Sequence, residues 1–103
     1  MKIEFRKEKL ALILTDRAAE TGLPFEVIKS CRIKLIYLED ATDERDLRNW
    51  RSLHYEKLKG ERDGQRSIRL NDKWRLVFEL DEKEDRIVVL VVDVENHLSL
   101  IHI

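Results

Sequence analysis

Four cationic side chains lie close together near the middle of the chain: Arg66, Arg69, Lys73 and Arg75. Apolar and polar residues alternate on both sides of a polar segment at 71–73, which is typical of a tight β-hairpin. Guanidinium groups gathered on a hairpin bind anions well, because their paired N–H donors match phosphate and carboxylate oxygens. The stretch therefore leaves two alternatives, a site for a polyanion and an ordinary soluble surface.

The length of the hairpin loop decides which side chains oppose one another. A two-residue loop would pair apolar with charged residues and mix the two faces of the sheet. A three-residue loop at 71–73, which is common in hairpins, keeps one face apolar and pairs Leu70 with Trp74 and Ile68 with Leu76.

The three-residue loop also places Arg69 directly opposite Arg75. Like charges in that position destabilise a sheet by about 0.2–1 kcal/mol, so folding alone would not favour the arrangement. A bound anion would relieve the repulsion. Alternatively, both side chains extend into water or pair with Glu79 or Glu95.

The rest of the chain predicts the elements that position this hairpin. A first strand is expected at 2–6, a helix at 7–20, a second helix from Pro24 to about residue 38, a strand at 53–58, the hairpin at 66–80 and a strand at 86–94. Gly22 is expected to end the first helix. The stretch 41–52 is polar and irregular, with a turn of helix at 46–50.

The two helices each show one apolar stripe. The first stripe consists of Leu10, Ile13, Leu14 and Ala18, and the second of Phe25, Ile28, Cys31, Leu35 and Leu38. Residues 86–94 are nearly all apolar, which is typical of a central strand covered on both faces. The order β-α-α-β-β-β predicts an α+β domain with a mainly antiparallel sheet and two helices packed on one face.

The composition fits one small domain across residues 1–103. The chain is 43% hydrophobic and 40% charged, which allows one modest core under an ionic surface. Its formal net charge of −1 argues against broad non-specific binding to nucleic acid. Residues 57–75 nevertheless carry seven cations and three anions, and residues 76–96 two cations and seven anions. A local anion site is therefore compatible with the total charge.

The single cysteine and the lack of long apolar runs are typical of a cytoplasmic protein. Cys31 has no partner for an internal disulfide and lies among apolar helical positions, so we expect a buried thiol in a reducing cytoplasm. No stretch approaches the roughly 18 apolar residues of a membrane span, and the first residues lack the apolar run of a signal peptide. We expect a cytoplasmic protein that does not associate with membranes.

Several motifs resemble those of one known family. They are LKGER at 58–62, GQ at 64–65 and SIRLNDKWRL at 67–76, preceded by AT at 41–42 and DLR at 46–48 and followed by ENH at 95–97. On these residues the chain resembles the HigB branch of the RelE/ParE toxin superfamily, the toxins of bacterial type II toxin–antitoxin pairs. The likeness covers most of the chain and implies a small RelE-like domain, in agreement with the predicted order of elements.

The resemblance also implies an activity and partners. HigB-like members are typically endoribonucleases that cut messenger RNA on the ribosome, without a metal ion or other cofactor. The RNA 2′-hydroxyl attacks the adjacent phosphate, so the protein supplies a base, an acid and cations rather than a nucleophile. The implied partners are the ribosome with its message and a HigA-like helix-turn-helix antitoxin, through which the complex would bind operator DNA.

The resemblance assigns five catalytic candidates. Arg69 and Arg75 would hold the phosphate, and Lys59 matches the family's basic position just before a glycine. His97 is the leading candidate for proton transfer, because imidazole titrates near neutral pH. Glu95 lies two residues earlier, on the same strand face, and would act as a base or orient His97. The identity of the general base stays open.

Four further residues are predicted RNA contacts: His54, Tyr55, Arg62 and Lys73. His54, which matches a histidine of some relatives, is also a third candidate for proton transfer, with an ordinary surface imidazole as the equal alternative. Arg62 and Lys73 lie in turns, where solvation is the alternative to contact with RNA. Many relatives carry a tyrosine where this chain has Asn96, and Tyr55 or Trp50 would have to replace it in stacking on a base.

Two other functions remain possible at this stage. ParE-like members of the superfamily inhibit DNA gyrase by binding and need neither His97 nor paired arginines. An inactive module that only binds an antitoxin is the third interpretation, because Asn96 departs from the family pattern. The apolar tail at 98–103 is either a native extension or a cloning remnant, and His102 within it has no expected role.

Overall fold

The structure, a computed structural model, describes residues 1–96. Its strands are β1 (Lys2–Phe5), β2 (Glu56–Lys57), β3 (Gln65–Arg69), β4 (Trp74–Lys83) and β5 (Arg86–Asn96). Its α-helices are α1 (Glu8–Ala11), α2 (Phe25–Asp40) and α3 (Glu44–Asn49). Single 3₁₀ turns occupy Leu12–Leu14, Ala18–Thr21, Arg51–Leu53 and Gly60–Arg62. His97, His102 and the tail at 98–103 lie outside the described residues.

The strands form one mixed sheet in the order β1-β5-β4-β3-β2. β1 pairs in parallel with β5, and the pairs β5–β4, β4–β3 and β3–β2 are antiparallel. The apolar strand β5 therefore lies inside the sheet, as its composition predicts. The expected α+β class with a mainly antiparallel sheet is confirmed.

The core lies between α2 and one face of the sheet. The buried face of α2 consists of Val27, Ile28, Cys31, Leu35 and Leu38, and it packs against Ile68, Leu76, Phe78, Val89, Val91 and Val94 of the sheet. The predicted corner before α2 is also present, because Gly22 adopts a left-handed φ of 77° that glycine tolerates without strain. Burial raises the pKa of the Cys31 thiol to about 12, in keeping with its predicted role in the core.

The continuous helix predicted at 7–20 is wrong. The chain forms α1 and two 3₁₀ turns instead, and Thr15 between them is extended, with φ −120° and ψ 173°. The Thr15 hydroxyl donates to the carbonyl of Leu12 and accepts from the amide of Arg17. This side chain therefore offers the backbone local hydrogen bonds that compete with those of a helix. As a result Leu14, which was expected in the apolar stripe, is 52% exposed.

Phe25 and the strand expected at 53–58 differ from the prediction. Phe25, which was expected in the apolar stripe, begins α2 but is 76% exposed, because the first turn of the helix projects past the core that Ile28 and Cys31 reach. The strand expected at 53–58 shrinks to the two residues of β2. Leu53 is instead fully buried at the end of a 3₁₀ turn, and His54 adopts a left-handed backbone that interrupts the strand.

A β-bulge in β5 decides which side chains reach the sheet face opposite the helices, called the open face here. Val77 pairs with Asp93 but the next residue, Phe78, pairs with Val91, so Val92 is an extra residue. Side chains alternate between faces, and the extra residue reverses the alternation beyond it. Without the bulge, Glu95 would share the helix side with Val91. With it, Glu95 lies on the open face.

The carboxylate of Glu44 links α3 to the segment that contains β2. An oxygen of Glu44 accepts from the Tyr55 hydroxyl at 2.9 Å and from Arg48 at 2.9 Å, and lies 3.2 Å from the Lys57 ammonium. Partial burial alone would raise the pKa of Glu44. The hydrogen bonds from Tyr55 and Lys57 and the charge of Arg66 outweigh it, so the pKa is lowered.

Glu44→Gln is therefore expected to lower the free energy of unfolding by about 1 kcal/mol at pH 7. A depressed folded-state pKa stabilises the fold above the unfolded-state pKa of about 4.3, and that contribution is lost as the pH falls through the folded-state value. Urea denaturation at pH 7 and pH 3 measures the difference, which should be smaller at pH 3 than at pH 7. Glu82→Gln, an exposed control, should match the wild-type protein at both pH values. Equal stability of Glu44→Gln and wild type at pH 7 would contradict the assignment.

Within residues 1–96, no helix combines the length and apolar character that crossing a membrane requires.

Candidate functional site

Three predicted site residues form one row across the open face. Arg75 pairs with Arg69 of β3 on one side and with Glu95 of β5 on the other. The amide of Leu70 donates to the carbonyl of Trp74 at 2.9 Å, which closes the three-residue loop. The register predicted from the hairpin pattern is therefore confirmed, including the two arginines that face each other.

Arg75 is the buried member of the row, with 7% of its surface exposed. Its Nε donates to the hydroxyl of Ser67 at 2.9 Å, and one terminal nitrogen donates to the backbone carbonyl of His54. Burial lowers the pKa of the Arg75 guanidinium; the nearby charge of Arg69 lowers it too, while Glu56 opposes both. An arginine nonetheless stays charged at neutral pH, so this cation is held rigid at low solvent exposure.

Arg69 is the accessible member, with 39% of its side chain exposed. One terminal nitrogen contacts the carboxylate of Asp72 in the hairpin loop, and the other lies 3.5 Å from Nε2 of His54. Nε2 accepts this long contact only in the neutral tautomer that carries its proton on Nδ1.

His54 reaches the arginines because its backbone is unusual. It adopts φ 47° and ψ 51°, a left-handed conformation that is strained for a residue other than glycine. Leu53, fully buried just before it, and the Arg75 hydrogen bond to its carbonyl hold this turn in place. The exposed imidazole is thus carried to the edge of the row.

These side chains line a concave cavity of about 270 Å³, whose walls are His54, Arg69, Asn71, Asp72 and Arg75. The sequence analysis did not single out Asn71 or Asp72 as site residues, although both follow Arg69 in the predicted loop. The side-chain oxygen Oδ1 of Asn71 accepts from the amides of Lys73 and Trp74, at 2.9 Å each, so hydrogen bonds within the loop stabilise this wall. The cavity combines two cations, an imidazole and one carboxylate.

Glu95 is neutralised by a residue from a turn. Both of its oxygens accept from Arg62, at 2.8 Å and 3.0 Å, and the two side chains are 18% and 15% exposed. The Nε of Arg62 also donates to Gln65 at 2.9 Å. The turn Gly60–Arg62 is therefore docked beside the row, and Glu95 is one half of an ion pair there.

The other predicted site residues lie in different surroundings. Lys59 is exposed just before the turn that carries Arg62, and Lys73 is exposed at the tip of the hairpin loop. Tyr55 lies on the helix side, where its hydroxyl accepts from Arg66 and donates to Glu44, and burial raises its pKa to about 12. His97 lies outside the described residues. The structure thus brings together Arg69, Arg75, Glu95, His54 and Arg62.

Two guanidinium groups that face each other have the donors to bind an anion with several oxygens. Within residues 1–96, no three His, Cys, Asp or Glu side chains are grouped in a way that would hold a metal ion. Ser67, fully buried, was missed by the sequence analysis and positions Arg75 through its hydroxyl. The signal available in the sequence was its register, since Ser67 shares the open face with Arg69 two residues later.

Comparisons with known proteins bear on the family and the fold. A family model described as a RelE-like toxin of the type II toxin–antitoxin system HigB matches residues 3–96. Comparison with curated protein sequences gives no significant match.

Solved structures show the same fold at low sequence identity. A YoeB/ParE toxin from Agrobacterium tumefaciens is 16% identical with a TM-score of 0.58, over 94% of this chain and 99% of its own. YafQ from E. coli is 12% identical with a TM-score of 0.59, over 96% of each chain. Protein HP0894 from Helicobacter pylori is 17% identical with a TM-score of 0.54, over 95% of this chain and 96% of its own.

Proposed function

The chain belongs to the HigB-like, RelE-like toxins of type II toxin–antitoxin systems, and we propose that it inhibits translation by cleaving messenger RNA on the ribosome. The observation that carries the proposal is the opposed pair Arg69 and Arg75 in a cavity shared with His54. Two like charges that face each other are unfavourable in the empty protein and favourable around a phosphate.

The reaction we propose uses the RNA's own 2′-hydroxyl. Its oxygen attacks the adjacent phosphorus, the bond to the 5′-oxygen breaks, and the leaving oxygen takes up a proton. Negative charge grows on the phosphate oxygens in the transition state, and Arg75 and Arg69 stabilise that charge. Arg75 is fixed by Ser67 and His54 before substrate arrives, so little reorganisation accompanies the reaction.

We assign proton transfer to the imidazole and carboxylate groups near the arginine pair. His54 is within reach of the arginine pair and, as neutral imidazole, accepts the 2′-proton. His97 stays the predicted acid for the leaving oxygen. Glu95, paired with Arg62, positions that turn against the row in this proposal and acts as a base only if substrate separates the pair. Lys59 and Lys73 would meet the RNA backbone outside the cleft.

The partners follow from the proposal. We propose that a HigA-like helix-turn-helix antitoxin neutralises the chain in the cytoplasm and that the complex binds operator DNA through the antitoxin. The ribosome with its message is the target, and no cofactor takes part.

A gyrase inhibitor is the second candidate, because a neighbouring fold is described as a YoeB/ParE toxin. One experiment separates the two: purified protein is added to a defined message under translation and, in parallel, to a gyrase supercoiling assay. Our proposal predicts primer-extension stops at new 5′ ends and unchanged supercoiling. An intact message together with blocked supercoiling would assign the chain to the gyrase inhibitors, and no effect in either assay would leave an antitoxin-binding module.

Asp72→Asn is expected to tighten RNA binding by roughly threefold, because Asp72 occupies the guanidinium of Arg69 that a phosphate would take. Fluorescence anisotropy with a 2′-deoxy analogue of the message measures binding without cleavage. Asp16→Asn removes the same charge from an exposed position in another part of the chain and should leave the affinity unchanged. Equal affinities of Asp72→Asn and wild type would show that Asp72 does not compete with RNA.

A further inference from the structure

A second cavity lies away from the arginine row, between the end of α2 and α3. It measures about 390 Å³, within the range of small-ligand sites, and is lined by Tyr37, Asp40, Ala41, Asp46, Asn49 and Trp50. We propose that this cavity binds the guanidinium group of an arginine side chain presented by a protein partner. The proposal does not depend on the cleavage reaction.

The wall of the cavity is aromatic and accessible. Trp50 stacks on Tyr37 with ring centroids 4.1 Å apart, yet Trp50 is 41% exposed. A planar guanidinium packs well on an indole face, where the ring quadrupole attracts a cation. The chain itself uses this attraction, because the Lys34 ammonium lies 5.6 Å from the centroid of Tyr37. An exposed tryptophan held in place by a second ring is typical of an anchor point for a partner.

Two carboxylates complete the cavity. Asp40 is the last residue of α2 and makes no side-chain hydrogen bond or ion pair within residues 1–96. An acidic residue at that end opposes the helix dipole, so its position is not explained by helix stability. A cation in the cavity would meet both Asp40 and the negative end of α2.

Asp46 is already fixed in position. Its Oδ2 accepts from the amide of Thr42 at 2.8 Å and from the Thr42 hydroxyl at 2.7 Å, and these bonds lower the pKa of Asp46. The two bonds from Thr42 therefore hold the carboxylate in one orientation beside the cavity. A preorganised acceptor costs less ordering when a donor binds.

The charge and the aromatic wall of this cavity favour an arginine side chain as its ligand. A phosphate backbone is repelled by two carboxylates, so this surface does not extend the RNA site of the open face. A neutral apolar side chain would bring no positive charge to Asp40 and Asp46. Arginine supplies the flat cation that the tryptophan and the carboxylates recognise together.

The test uses N-acetyl-arginine amide as the probe and N-acetyl-citrulline amide, its neutral isostere, as the control ligand. The chain has two tryptophans, so Trp74→Phe leaves Trp50 as the only tryptophan reporter. Titration at constant ionic strength should give a saturable change in Trp50 fluorescence with a millimolar dissociation constant. Citrulline should bind at least fivefold more weakly.

Variants locate the binding. Asp40→Asn, an exposed and isosteric change, should weaken arginine binding by roughly three- to fivefold, whereas Asp85→Asn in the β4–β5 turn should leave it unchanged. Urea denaturation confirms that each variant is folded. A response that does not saturate, equal binding of citrulline, or unchanged affinity in Asp40→Asn would each overturn the proposal.

Discussion

Replacing Arg75 by alanine is expected to slow message cleavage by on the order of 10²–10³-fold, the usual cost of losing one well-aimed donor to the transition state. Single-turnover cleavage at saturating protein separates this effect from weaker binding. Near-normal cleavage by Arg75→Ala would contradict the assignment of the site.

The same substitution should also destabilise the protein, because Arg75 is buried and holds two other groups. Without it the Ser67 hydroxyl and the His54 carbonyl lose their partner, which costs about 1–3 kcal/mol. Ser67→Ala is the matched control: it frees the Nε of Arg75 but keeps the cation. It should reduce cleavage far less than Arg75→Ala does. Urea denaturation measures the stability of each variant and so shows how much of its loss of cleavage comes from unfolding.

Arg69→Ala is expected to reduce cleavage by on the order of 10²-fold without a loss of stability. Arg69 is only partly buried, its ion pair with Asp72 lies at the surface, and its removal relieves the repulsion from Arg75. The free energy of unfolding should therefore change by less than about 0.5 kcal/mol. Arg69→Ala therefore measures how much the arginine pair contributes to cleavage, without a change in stability.

Arg69→Lys sharpens the same test. Lysine keeps the charge but loses the two-pronged donor geometry, so partial activity between wild type and Arg69→Ala is expected. Lys73→Ala, at the exposed loop tip, should change cleavage severalfold at most. Full activity of Arg69→Ala with normal folding would show that the opposed arginines do not act together on a phosphate.

The hairpin was predictable because its constraints are local. The alternation of Ile68 and Leu70 with Arg69 allows only the register that keeps one face apolar, and the structure has that register. The apolar run of β5 likewise placed it inside the sheet. The alternation of apolar and polar residues and the length of the loop were enough to predict that Arg69 lies opposite Arg75.

The rest of the site depends on irregular features that leave little trace in a sequence. The bulge at Val92 turns Glu95 to the open face, and nothing in an apolar run marks an extra residue. The left-handed backbone of His54 replaced a predicted strand, since tertiary contacts of Leu53 and Arg75 override local preference. The pairing of Arg62 with Glu95 joins residues far apart in the chain, which only the fold brings together.

The most direct test of the central claim is the chemistry of the cleaved ends. A message with a single 2′-deoxy nucleotide at the mapped cleavage site is translated beside its all-ribose counterpart in the presence of the protein, and the products are analysed. The account predicts a 5′-hydroxyl and a 2′,3′-cyclic phosphate or its hydrolysis product from the ribose message, and no cleavage at the deoxy position. Cleavage at the deoxy position, or products that carry a 5′-phosphate, would contradict it.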